Sequence, residues 1–160
     1  MITGLANSAV ALTVQGIAKE VDRISITTAS ASSDLTGPAC SPTGVHWVYD
    51  TYSVAAGLAH GMVSEGRDTW FFVTADYSFG TALERDTRAI VERSGGKTVG
   101  SVRFPIGTTD FSSYLLQAQA SGAKVIALAS ASADTVNAIK QAHEFGLADG
   151  PQSVVGLLVF

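Results

Sequence analysis

Along the chain, apolar residues recur first at helical and then at strand spacing, and this change of period repeats from end to end. Met1 to Gly4 reads as the tail of a strand. Val10, Thr13, Val14, Ile17, Ala18 and Val21 then recur three and four residues apart, which predicts one face of a helix, with Asn7 or Ser8 as its N-cap. Arg23 to Thr28 alternates as a strand does, and Ala29 to Gly44 lapses into Ser, Thr, Gly and Pro, the composition of a long loop. Val45 to Tyr49 is short, apolar and aromatic, and reads as the segment that carries the chain across to a second body.

From there the alternation is regular. Tyr52, Ala55, Ala56, Ala59, Met62 and Val63 form a helical stripe, and Thr69 to Thr74 follows as a strand. Within it, Trp70 to Val73 is a continuous apolar run, as expected of a strand buried on both faces of a parallel sheet. Phe79 to Arg93 is the next helix, stopped at Gly95 and Gly96. Thr98 to Phe104 is a strand, and Phe111, Tyr114, Leu115 and Ala118 line one helix face. Val125 to Ala129 is a strand, Val136, Ile139, Ala142 and His143 mark a helix that Asp134 precedes and Gly146 closes, and Ser153 to Val159 is the last strand. Strand and helix in strict turn, with short connections, predict an α/β fold of parallel sheets with helices on both faces. A sheet that opens on a strand tail and finishes on a strand without a covering helix leaves apolar surface exposed, so the expectation is a fragment of a larger protein.

At 160 residues, one domain is the default, and 46% hydrophobic against 15% charged residues argues for a packed core. Fourteen acidic and ten basic residues give a net charge of -4, which offers no electrostatic footprint for nucleic acid or an anionic membrane and favours a small partner. No apolar run reaches the roughly 18 residues of a spanning helix. Met1 to Val14 lacks the basic leading residues of a signal peptide and reads as structure. Cys40, the sole cysteine, is either a small loop residue or half of a bridge to a partner outside this chain.

Two motif-like stretches dissolve on inspection. Gly95-Gly96-Lys97-Thr98 resembles the end of a phosphate-binding loop, but Val91 stands where the leading glycine belongs and the segment leaves a helix instead of entering one. His143-Glu144 opens like a zinc-protease motif, but Leu147 replaces its second histidine. No nucleophile elbow and no dinucleotide-binding glycine motif occurs. What remains lies at strand ends, where open α/β sheets bind ligands. Asp76, Tyr77 and Ser78 follow the central strand. Gly4-Leu5-Ala6-Asn7-Ser8-Ala9 feeds a strand into a helix through small polar residues, which suits either a carboxylate site at the positive end of the helix dipole or a plain N-cap. Ser130, Ser132 and Asp134 carry the same two readings.

Five segments, in order and at matching spacing, resemble the periplasmic solute-binding proteins of branched-chain amino acid type ABC transporters. They are Ile2-Thr3-Gly4-Leu5-Ala6-Asn7-Ser8-Ala9-Val10, Ser30 to Thr36, Asp76-Tyr77-Ser78-Phe79-Gly80, Thr109-Asp110-Phe111-Ser112-Ser113 and Glu144-Phe145-Gly146-Leu147. The resemblance implies the type I periplasmic binding protein fold, with two α/β lobes and ligand held in the cleft between them. Residues 1–48 would be the last part of the first lobe plus the crossover, and 49–160 the core of the second. It implies a periplasmic location, ABC transporter membrane subunits as partners, no cofactor and no catalysis.

By position, the resemblance places Asn7 and Ser8 where the family's serine-rich loop binds the ligand carboxylate. Ala29, Ser30 and Ala31 fall where a second loop supplies a backbone group and a hydroxyl, here Ala31 with Ser30 beside it. Phe79 takes the place of a cleft tyrosine, with Tyr77 as a nearby substitute, and Ala131 takes the place of another. Leu158 stands where amino-acid binders carry the glutamate that pairs with the ligand ammonium. Together with Asp76 and Ser132, these residues form the expected site. A buried α-ammonium without a counter-charge costs several kcal/mol, so the expected ligand is a small carboxylate lacking an α-amino group, aromatic or short-chain. Branched-chain amino acid binding, a ligand-sensing regulatory domain of the same fold, and a small doubly wound enzyme using Asp76 are the rival readings. The enzyme requires a His, Cys or second carboxylate near Asp76, and His46, His60 and His143 are not spaced for that.

Overall fold

The computed structural model describes residues 1–159. Two parallel sheets organise it. β1 (Ile2–Gly4), β2 (Ser25–Thr27) and β3 (Gly44–His46) form the first in that order, and α1 (Ser8–Glu20) connects β1 to β2. After α2 (Thr51–Ser64), the second sheet is built from β4 (Thr69–Ala75), β5 (Lys97–Phe104), β6 (Val125–Ala129) and β7 (Ser153–Gly156) in the order β5-β4-β6-β7. α3 (Ser78–Arg93), α4 (Ser112–Ala120) and α5 (Ser132–Glu144) are the crossovers. Val45 to Tyr49 is therefore divided between roles. Its first half pairs with β2 as β3, and only the residues after His46 lead to α2.

The period-2 alternation of β4 separates two cores. Trp70 and Phe72 pack with Ala55, Ala59 and Val63 of α2 and Leu83, Ile90 and Val91 of α3. Phe71, Val73 and Ala75 pack on the opposite face with Leu115 and Ala118 of α4 and Ala138 and Ala142 of α5. Helices thus cover both faces of the second sheet, and β4 and β6 are buried along almost their whole length.

On two helices most of the apolar stripe read from the sequence lies outside the core, Ala18 of α1 and Ala142 of α5 excepted. In α1 the inward residues are Ser8, Ala11, Gln15 and Ala18, while Val10, Ile17 and Val21 are more than half exposed at 51%, 54% and 55%. Small residues let this helix approach the loop after β2 closely, and Gln15 Nε2 fastens that loop by donating to the carbonyls of Leu35 (2.9 Å) and Ala39 (2.7 Å). In α5 the inward face is Thr135, Ala138 and Ala142, with Val136 and Ile139 outside.

Two of the resembling segments have architectural explanations. In Thr109-Asp110-Phe111-Ser112-Ser113, the Asp110 carboxylate accepts from the N–H (2.9 Å) and hydroxyl (2.5 Å) of Ser112, holding its carboxyl below the usual range, and starts α4 over the buried Phe111. Gly80 sits in the first turn of α3, against the ends of β4 and β6. A Cβ there would lie 2.1 Å from the Ala75 carbonyl oxygen and 3.0 Å from that of Ala129. The Gly95 stop is also realised, with φ +91° and the Gly96 N–H returned to Val91 at 2.9 Å.

Candidate functional site

Between the two sheets lies a cavity of about 200 Å³. Ala6 and Ser8 reach it from the β1–α1 turn, Ala29 and Ala31 from the loop after β2, and Tyr49 from the crossing segment. Tyr77 and Phe79 come from the end of β4, Ala131 and Ser132 from the end of β6, and Leu158 from beyond β7. A volume below the roughly 300–1,000 Å³ of drug-sized clefts suits a small molecule.

Three helices begin at this wall. α1 opens with Ser8, α3 follows Tyr77 and α5 follows Ala131; the N-cap residues of α3 and α5 make no side-chain cap hydrogen bond. The first N–H groups of a helix have no partner within it, and they carry the positive end of its dipole. Ser8 is a buried residue, 2% exposed; its side chain lines the cavity and makes no hydrogen bond among the described residues. The remaining polar side-chain groups of the lining are the hydroxyls of Ser132, Tyr49 and Tyr77, and among the described residues no lining side chain carries a charge. The site therefore offers donors and helix dipoles to an anion, and an apolar, aromatic wall to its body. The Tyr77 and Phe79 rings stand 5.8 Å apart, tilted against each other. Burial, and secondarily the negative charge of Asp134, push the Tyr77 phenol above its usual pKa, so it stays a neutral donor.

Eight of the expected residues meet here: Ser8, Ala29, Ala31, Tyr77, Phe79, Ala131, Ser132 and Leu158. Three do not line the cavity. Asn7 is the N-cap of α1, its Oδ1 accepting from the N–H of Ala9 (2.9 Å) and Val10 (3.3 Å), and it borders an adjoining groove instead. The Ser30 hydroxyl donates to the Leu5 carbonyl, and its own carbonyl receives His46 Nε2 at 2.7 Å, so Ser30 ties the loop to β1 and β3. Asp76 points to solvent and pairs with Arg103 at 3.4 Å. Asp134 is not the cap of α5: it lies in the first turn and accepts from the Gly107 N–H at 3.2 Å, fastening the β5–α4 loop. Ala6 and Tyr49 were not anticipated. Ala6 lies inside the Gly4 to Ala9 turn already singled out, whereas Tyr49 is disclosed only by the fold, which turns the crossing segment along the cavity.

No group of three His, Cys, Asp or Glu side chains able to hold a metal occurs among the described residues. His143 and Glu144 are exposed, Cys40 is a free exposed thiol, and among the described residues no helix is long and apolar enough to cross a membrane.

The family model described as "Periplasmic binding protein" matches residues 1–160. The chain belongs to the periplasmic binding protein family. A periplasmic binding protein from Burkholderia mallei is 45% identical over 98% of this chain, with a TM-score of 0.92. A branched-chain amino acid ABC transporter periplasmic ligand-binding protein from Burkholderia xenovorans is 36% identical over 98% of the chain, with a TM-score of 0.77. A solute-binding protein of an ABC transporter from Rhodopseudomonas palustris, solved with p-hydroxybenzoic acid, is 26% identical over 96% of the chain, with a TM-score of 0.85. The chain spans 41% or 42% of the length of these three family members. A comparison with curated proteins finds no match. The architecture is the two-lobed type I periplasmic binding protein fold of this family, as the resemblance of the five segments implies.

Proposed function

We propose that the protein is the extracytoplasmic solute-binding component of an ABC importer and that it carries a small organic carboxylate lacking an α-amino group, aromatic or short-chain. The observation that carries this reading is the cavity wall: the N-termini of α3 and α5, which no side chain caps, and the unpaired Ser8 hydroxyl at the start of α1 face a space with no acidic side chain among its described lining residues. A carboxylate is stabilised there by N–H and O–H donors aligned with the helix dipoles. An ammonium is left without a counter-charge in a largely apolar enclosure, which costs several kcal/mol. The p-hydroxybenzoic acid bound by the Rhodopseudomonas relative belongs to the same chemical class.

Residues 1–48 act in this reading as part of the first lobe and 49–160 as the core of the second. Ligand bridges the two, closure is selected because only the closed form touches both ends of the ligand, and the membrane subunits of the transporter respond to closure in the periplasm. No bond is made or broken.

A thermal-shift panel on the full-length protein tests the class: benzoate, 4-hydroxybenzoate and aliphatic keto acids against leucine, valine and phenylethylamine. The acids raise the melting midpoint and the amines do not, and Leu158→Glu abolishes the gain by placing a carboxylate in the wall. Stabilisation by leucine or valine with none by any simple acid would refute the assignment.

A further inference from the structure

Away from the cavity wall, one polar network joins the two halves of the fold. The Asp86 side chain, on α3, is 10% exposed and accepts from the Ser33 hydroxyl (2.6 Å) and the Thr51 hydroxyl (2.5 Å). Arg85 holds the same carboxylate through Nε (3.0 Å) and a terminal nitrogen (2.9 Å), and also reaches the Ser33 hydroxyl and Asp34, both at 2.7 Å. The Ser33 N–H donates to the Thr51 hydroxyl at 3.1 Å. Ser33 and Asp34 belong to the 3-10 turn Ser33–Leu35 in the loop after β2, whereas Arg85 and Asp86 belong to the helix after β4.

The placement of this network matters more than its size. The loop that bears Ser33 and Asp34 also bears Ala29 and Ala31 of the cavity wall, and the Ala31 carbonyl accepts the Thr51 N–H at 2.8 Å. The helix that bears Asp86 begins with Tyr77 and Phe79 of the opposite wall, and Asp86 lies about 10 Å along its axis from Phe79. We infer that Asp86 and Arg85 are positioning residues, which with Ser33, Asp34 and Thr51 brace the first-lobe wall of the cavity at a set distance from the second-lobe wall. Hydrogen bonds to a carboxylate are shorter and stronger than neutral ones. A carboxylate this buried is costly to leave with its partners removed. Sliding the loop away from α3 therefore requires several charge-assisted bonds to break together, and the brace restricts the lobes to arrangements near the present one, in which both walls line the same cavity. A ligand that selects the closed form then binds more tightly, by the ratio of closed populations with and without the brace.

The effect on affinity rests on the two-lobed ligand-binding function proposed above; the brace itself does not. The test uses the full-length protein with Cys40→Ser, Lys19→Cys and Lys140→Cys, spin-labelled on α1 and α5, both exposed positions outside the network. The distance distribution between labels is recorded without ligand, and benzoate affinity is measured in parallel. Asp86→Asn and Thr51→Val are expected to broaden the distribution and to weaken benzoate by roughly tenfold, while Thr51→Ser, which keeps the hydroxyl, behaves as wild type. Thr51→Val leaves the Arg85–Asp86 pair intact and carries the comparison if Asp86→Asn fails to fold. Broadening in a protein that binds no acid supports the brace and defeats the proposed ligand class. An unchanged distribution in the folded variants overturns the inference whatever the affinity.

Discussion

Tyr77 meets both the ligand cavity and a charge. Its phenol is held above its ordinary pKa by burial and then by the neighbouring Asp134 carboxylate. The unfolded phenol titrates near 10, so the folded state retains the proton better than the unfolded one does. The stabilisation from this group is fully present below about pH 10 and is lost as pH rises through the higher folded value. Carboxylate binding measured by fluorescence is accordingly expected to be flat between about pH 6 and 9 and to fall only above about pH 10. Tyr77→Phe should remove that alkaline step. A fall centred near neutrality in the wild type would mean that another group faces the ligand.

At the same scale, the sequence shows why some site residues were legible and others not. Ser8, Tyr77 and Ser132 follow strands, where the rules of open α/β sheets place ligands, and Ala131 and Leu158 are reached through family position. Asn7 and Ser30 have the right chemistry at the right place, but backbone groups take their side chains first: for Asn7 the nearby N–H groups of Ala9 and Val10, and for Ser30 the carbonyl of Leu5, 25 positions earlier in the chain. Asp76 is drawn outward by Arg103, 27 positions further along the chain, and such a pairing is invisible until the strands are in register.

At the scale of elements, the order and type of the strands and helices of the second sheet were readable because β4 and β6 are apolar runs and the intervening helices end at glycines, whereas the short β3 is hidden in a loop-like composition. The faces of α1 and α5 were not readable. Hydrophobic period locates a stripe, but close approach favours small residues, and in α1 the inward stripe is Ala11, Gln15 and Ala18 instead of Val10, Ile17 and Val21. Gly80 illustrates the same close approach at α3. Gly80→Ala places a methyl against two backbone carbonyl oxygens, which cannot swing aside as a side chain can. We expect a loss of about 1–3 kcal/mol, the range for overpacked sites, read as a lowered denaturant midpoint with unchanged slope. A neutral effect would mean that the start of α3 moves freely, and with it the cavity wall at Tyr77 and Phe79.

At the scale of the molecule, two sheets present their strand ends to one another, and three helices begin around the space between them. The electrostatics of that space come from backbone dipoles and hydroxyls, with no charged side chain among the described residues of the wall. Such a wall discriminates by the sign of the ligand's charges more than by the shape of its carbon skeleton. The direct measurement is calorimetric titration of the full-length protein with 4-methylpentanoate and with leucine, which differ only by the α-ammonium. The acid is expected to bind more tightly by on the order of a hundredfold, equivalent to about 3 kcal/mol for an unpaired buried ammonium; leucine binding as tightly as the acid, or more tightly, would contradict the account.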